Sequence, residues 1–155
     1  MKINRKTLVI CLAIPLGVGG LATLLSGGMD AYGTFIKPPL SPPGWVFPIV
    51  WTILYLLMGY ASYRIYTSAA EPAAIRKALT FYGIQLGLNF LWPIAFFGFG
   101  WYWAAFVILL ALWAFIYLCM HLFGLIDDTA ENLLIPYLLW VTFAGYLNLG
   151  VALLN

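Results

Sequence analysis

The sequence predicts an all-α integral membrane protein, a single domain over residues 1–155 built as a bundle of five transmembrane helices. Three observations carry this. The chain is 65% hydrophobic and only 8% charged, whereas a soluble domain is about half apolar and about a quarter charged. Five apolar segments, near 6–26, 44–67, 78–98, 102–124 and 130–153, are each long enough to cross a hydrocarbon core of about 30 Å. Polar or turn-rich connections separate them, and a helix is the only open-chain element that satisfies its own backbone in lipid.

The first segment follows Lys2, Arg5 and Lys6, the flank of a secretory signal. No small-residue cleavage site in a polar context follows, so it reads as a retained span. Its GVGG near Gly17 reads as helix packing. Residues 27–43 form a long connection in which KPPLSPPG carries two proline pairs. Prolines fix φ and reduce the freedom of a connection. A lid over a cavity, or a rigid turn into the second helix, would both use that stiffness. The second segment brings Trp45, Trp51 and Tyr55; residues 68–77 are a polar connection with Glu71, Arg76 and Lys77. The third carries GIQLG, a GxxxG pattern at Gly83 and Gly87 suited to close helix approach or to a homodimer. A short aromatic turn, Gly98–Trp101, leads to the fourth. Asp127, Asp128 and Glu131 then place negative charge at the start of the fifth, where Pro136 is tolerated near a helix N-terminus.

Composition excludes several functions. A net charge of +2 gives no footprint for nucleic acid. No P-loop or glycine fingerprint is present, and no cofactor is expected. Cys11 and Cys119 lie in apolar segments as small hydrophobes, and His121 is the one histidine, so no metal cluster is expected. Six basic residues (Lys2, Arg5, Lys6, Arg64, Arg76, Lys77) fall on the N-terminal side and Lys37 alone on the other. This predicts a cytoplasmic N-terminus and an external C-terminus.

Helix rise then sets depth. Below the predicted external face, Trp51 lies about 10 Å deep, Trp92 about 9 Å, Asn89 and Ala144 about 14 Å, and Trp140 about 20 Å. Phe47, Trp51 and Tyr55 repeat every four residues, as do Pro136, Trp140, Ala144 and Asn148, so each set shares a stripe. Trp45, Trp101 and Trp103 sit at membrane ends, where an aromatic belt accounts for them. Trp51, Trp92 and Trp140 are deeper. Core packing explains each singly, and their shared depth band points to a cavity. Pro93 lacks the N–H that would bond the Asn89 carbonyl. Asn89 therefore reads either as an interhelical hydrogen bond, to Gln85 or Asn148, or as the polar anchor of an apolar pocket.

Three stretches, PPLSPPGWVFPIVWTILYLLMGYASY, QLGLNFLWPIAFFG and IPYLLWVTFAGYLN, together resemble the TspO/MBR family. Its members are also called translocator proteins, tryptophan-rich sensory proteins or peripheral-type benzodiazepine receptors. The resemblance runs from about Tyr32 to Asn148. It implies a five-helix bundle in a bacterial cell membrane, often homodimeric, whose first loop closes a cavity for porphyrins such as protoporphyrin IX or other hydrophobic ligands. Carried over residue by residue, the pocket falls on Trp51, Tyr55, Asn89, Trp92, Trp140 and Ala144, with Phe47 on the same stripe. Leu40 stands where members commonly place a tryptophan. No basic residue follows Tyr146, so the sterol pattern of animal members is absent.

A receptor or sensor would stack a tetrapyrrole on Trp51 and Trp140, with Asn89 in polar contact and Lys37 beside a propionate at the mouth. A light-dependent porphyrin-degrading enzyme would use Trp51 and Trp140 as redox partners, since no general acid or base lies in the pocket. A porphyrin or sterol transporter is the third reading, although the five spans lack inverted repeats and buried charge.

Overall fold

A computed structural model describes residues 3–28 and 30–155. Lys2, counted above in the charge asymmetry, lies outside them. The five expected spans form, and among the described residues there is no strand. Helix α1 covers Arg5–Ser26, α2 Val46–Tyr66, α3 Pro72–Pro93, α4 Tyr102–Gly124, α5 Asp128–Leu133 and α6 Ile135–Leu154. The last two together make the fifth span.

Local chemistry sets most boundaries. Asn4 accepts from the Thr7 N–H at 3.2 Å and so caps α1. Gly27, at φ +82°, ends it in the left-handed conformation that a residue without a Cβ adopts freely. Helix α3 begins six residues before the expected 78. Pro72 is preorganised for a first turn and Ala73 and Ala74 propagate it, so residues read as a polar connection are helical. Past Pro93 the chain widens into a π turn over Ile94–Gly98. Asp127 caps α5 by accepting from Thr129 and Ala130 N–H groups. The fifth span breaks at Leu134, because Pro136 has no N–H for the carbonyl one turn back.

Helix α1 packs on α2 and α3, and α4 packs on α3 and α6. Helices α1 and α2 approach closely at Gly59. A Cβ on Gly59 would lie 2.7 Å from the Cys11 carbonyl oxygen and 2.9 Å from Leu12 Cα, so only glycine fits there. Large apolar side chains such as Leu24, Ile49, Val107 and Leu139 cover the outside of the bundle. Contiguous apolar surface of this extent is a membrane-facing surface.

The connection between α1 and α2 closes one end of the bundle. Phe35 is buried edge-on against Phe96 and Tyr102. Pro38 is buried against Gly150, where a Cβ would come within 2.5 Å of the proline ring. The Tyr146 hydroxyl donates to the Pro39 carbonyl at 2.6 Å, and Asn155 exchanges two hydrogen bonds with the Ile36 backbone. Leu40 takes φ +70° between the proline pairs. The connection is thus fastened along its length to α6, α4 and the π turn.

Candidate ligand cavity

A cavity of about 260 Å³ with a polar spot lies between α1, α2 and α3 at the loop end. Helix α2 contributes Phe47, Trp51 and Tyr55, and α3 contributes Asn89, Trp92 and Pro93. Helix α1 supplies the remaining wall through Gly19, Ala22, Thr23 and Ser26. Among the described residues lining it, none carries a charge.

Asn89 is the centre of its polar spot. The Tyr55 hydroxyl donates to Asn89 Oδ1 at 2.9 Å, and Asn89 Nδ2 donates to the Tyr137 hydroxyl at 2.7 Å. That hydroxyl in turn donates to Gln85 Oε1 at 2.6 Å. The side-chain partners of Asn89 are therefore two tyrosines, not the Gln85 or Asn148 expected from sequence. Asn148 instead accepts from Trp92 Nε1 at 2.9 Å and donates to the Tyr102 carbonyl at 2.9 Å. An amide has two donor hydrogens and two acceptor lone pairs. Asn89 uses one of each on the tyrosines, which leaves one of each for a guest.

The aromatic walls are held from behind. Trp51 stacks on Tyr55, with centroids 5.6 Å apart and planes at 28°, and meets Tyr137 edge-on. Trp92 stacks on Phe96 at 5.3 Å. Tyr55 needs Gly19 opposite, where a Cβ would lie 2.2 Å from its ring.

The structure brings together Phe47, Trp51, Tyr55, Asn89 and Trp92, and separates the other three candidates. Ala144 and Lys37 line a second space of only about 20 Å³ beneath the loop, with Phe47, Trp92 and Phe97 forming the partition. Trp140 lies beyond Phe47, which it meets edge-on at 5.7 Å, and borders an open groove between α2 and α6. It does not face Trp51 across one ligand, as the expected sandwich requires. The cause is helical drift. A strict four-residue repeat advances about 40° per step around a helix of 3.6 residues per turn. Tyr137, Val141, Ala144 and Asn148 form the buried face, so Pro136 and Trp140 rotate off it.

Lys37 turns inward. Its ammonium donates to the Tyr32 and Phe35 carbonyls at 2.8 and 3.4 Å and lies 4.8 Å from the centre of the Tyr32 ring. It braces the loop. The Tyr32 hydroxyl donates to the Pro42 carbonyl; burial raises its pKa, and a hydrogen bond with Ser41 partly offsets that. At the far end of the bundle Arg64 bonds Asp127, with Nε 2.9 Å from Oδ2. Burial pushes the Asp127 carboxyl up, but Arg64 and two backbone N–H groups outweigh it and hold the pKa below the usual carboxylate value. No group of three or more metal-ligating side chains occurs among the described residues.

Two contributors were missed. Tyr137 was hidden by the choice of the neighbouring stripe, although its position one residue after Pro136 places it on the buried face. Helix α1 carries no aromatic or amide to mark it, and its glycines were assigned only to packing.

Comparison with known proteins adds a family. The model of the TspO/MBR family matches residues 7–154. A tryptophan-rich protein TspO of Chlorobaculum tepidum is 37% identical over 151 residues, covering 96% of both chains. A tryptophan-rich sensory protein of Cereibacter sphaeroides is 39% identical over 124 residues, 80% of this chain and 76% of the relative. A translocator protein of Ovis aries is 36% identical over 140 residues, 86% of this chain and 80% of the relative.

Proposed function

The chain belongs to the TspO/MBR family, and from that premise we propose that it is a multi-pass membrane receptor that binds porphyrins and related hydrophobic ligands between α1, α2 and α3. The observation that carries the proposal is an uncharged aromatic cavity with one polar spot whose hydrogen bonds are only half used. Its volume, about 260 Å³, lies just below the roughly 300–1,000 Å³ of typical ligand sites. A compact polycycle is enclosed. A tetrapyrrole is larger and leaves one edge outside the cavity.

Titrating purified protein with protoporphyrin IX in the dark and in light tests this. Saturable dark binding that quenches tryptophan emission and leaves the ligand spectrum unchanged is expected, and Trp51→Ala should weaken it. Loss of porphyrin absorbance that requires both light and Trp51 would replace the receptor by a photo-oxidative enzyme. No saturable binding would end the proposal.

Orientation follows from charge. Arg5, Lys6, Arg64, Arg76 and Lys77 lie on the side opposite the loop, which supports a cytoplasmic N-terminus in a bacterial cell membrane. A reporter active in the cytoplasm when fused to the C-terminus would reverse this. Gly83 and Gly87 face open space and, with Gly17, line an apolar groove between α1 and α3. Close helix approach there supports a homodimer. Gly83→Ile should abolish cross-linked dimers if that face is used.

A further inference from the structure

The cavity has an aromatic roof and an exposed flank. Towards the loop end its walls are Phe47 and Phe97. Behind Phe47 stands Tyr32, and behind Phe97 stand Phe35 and Phe96. The loop carrying Tyr32 and Phe35 is fastened to α6 by hydrogen bonds from Tyr146 and Asn155. On that side aromatic rings of the loop and the π turn back both phenylalanines, and Gly28 of the connection also lines the cavity.

The flank between α1 and α2 is different. These antiparallel helices touch at Gly59 against Leu12 and at Gly19 against Tyr55. Beyond Gly19, towards the loop, the cavity lies between them. Gly20 has nothing within 4 Å of where its Cβ would be. Gly20 and Thr23 on α1, and Pro48 and Thr52 on α2, line the cavity and are exposed on the outside of the bundle. At this depth the outside is lipid. The rim also lacks free donors. The Thr23 hydroxyl donates to the Gly19 carbonyl at 2.9 Å, and the Thr52 hydroxyl donates to the Pro48 carbonyl at 2.7 Å. Each threonine therefore offers the opening no hydroxyl hydrogen.

We infer that the ligand reaches the cavity sideways from the loop-end leaflet, through the wedge between α1 and α2, as an uncharged molecule already dissolved in the bilayer. This rests on the binding proposal above and adds the route and the charge state of the species that passes. An apolar rim admits a neutral ring at little desolvation cost and opposes an ionised carboxylate strongly. The loop is then a fixed roof, not the door.

The test uses the full chain in lipid vesicles and the uncharged dimethyl ester of protoporphyrin, with tryptophan quenching followed by stopped flow. Gly20→Phe and Thr52→Phe fill the wedge from opposite sides at exposed positions. Each is expected to slow association by about tenfold; because both residues also line the cavity, affinity is measured alongside, and a fall in affinity with an unchanged association rate overturns the route. Tyr146→Phe frees one fastening of the loop and is expected to leave the association rate as it is. The inference is overturned if Tyr146→Phe speeds exchange while neither wedge variant changes it. Wild-type rates in both wedge variants overturn it too, with binding itself intact. Absence of saturable ester binding to the wild type is a different failure, removing the receptor together with its route.

Discussion

Gly19→Ala tests the construction of the cavity with a single methyl group. The new Cβ would fall 2.2 Å from Tyr55 Cε2 and 2.6 Å from Cζ. A flexible side-chain end would swing away cheaply, but this ring is not free. Its hydroxyl bonds Asn89 at 2.9 Å, its face stacks on Trp51, and it is only 9% exposed. Overpacking of this kind costs about 1–3 kcal/mol. Displacing the ring also removes the Asn89 hydrogen bond, about 0.5–1.5 kcal/mol. Replacing glycine inside a helix returns about 1 kcal/mol. A net loss of about 2 kcal/mol is expected, together with weaker ligand binding because Trp51 shifts with Tyr55. Thermal unfolding in detergent and porphyrin titration measure the two effects. The double variant Gly19→Ala/Tyr55→Ala makes the test specific: removing the ring removes the clash, so Gly19→Ala should be nearly harmless in that background. If the single variant melts and binds like wild type, or if the penalty persists without the Tyr55 ring, the reasoning fails.

Tyr137→Phe leaves Asn89 Nδ2 and Gln85 Oε1 without their shared partner; a loss of about 1–3 kcal/mol is expected in unfolding experiments, and wild-type stability would show the network to be dispensable. Lys37→Ala removes the brace on the Tyr32 and Phe35 carbonyls and should weaken free-acid and dimethyl-ester porphyrin equally, whereas a loss confined to the free acid would return Lys37 to the carboxylate contact expected from sequence. Because the Asp127 pKa is depressed, its contribution to stability is complete above the ordinary carboxylate value and is lost as pH falls through the lower folded-state value. Asp127→Asn should flatten that acid-side dependence and lower stability at neutral pH by about 1 kcal/mol; an unchanged pH profile would argue against the Arg64 pairing.

The spans were legible because hydropathy in lipid leaves little choice, and α1, α2 and α4 begin and end within two residues of expectation. The early start of α3 was not, because a polar composition was allowed to outweigh Pro72 and the alanines after it. On α2 the repeat Phe47, Trp51 and Tyr55 located three cavity residues. The same arithmetic on α6 selected Trp140 and passed over Tyr137, since a four-residue stride tracks a helix face for only two steps or so. Asn89 was legible as a polar anomaly one helical turn before Pro93. Its partners were not, because pairing across helices depends on their relative rotation, which no single segment encodes. Lys37 was placed at the mouth by its charge, and only the fold of the loop reveals nearby carbonyls that compete for it.

The hydrogen bonds joining Tyr55, Asn89, Tyr137 and Gln85 tie α2, α3 and α6 at one depth. Helices in a bilayer have no hydrophobic reason to prefer one axial register over another, because lipid tails are as apolar as the neighbouring side chains. Here the register is pinned. Slipping one helix by a single residue moves it about 1.5 Å along its axis, and bonds of 2.6–2.9 Å would stretch out of range. In a thicker or thinner membrane these three helices therefore lean together as one block, and mismatch is absorbed as tilt, not as sliding of one helix past another.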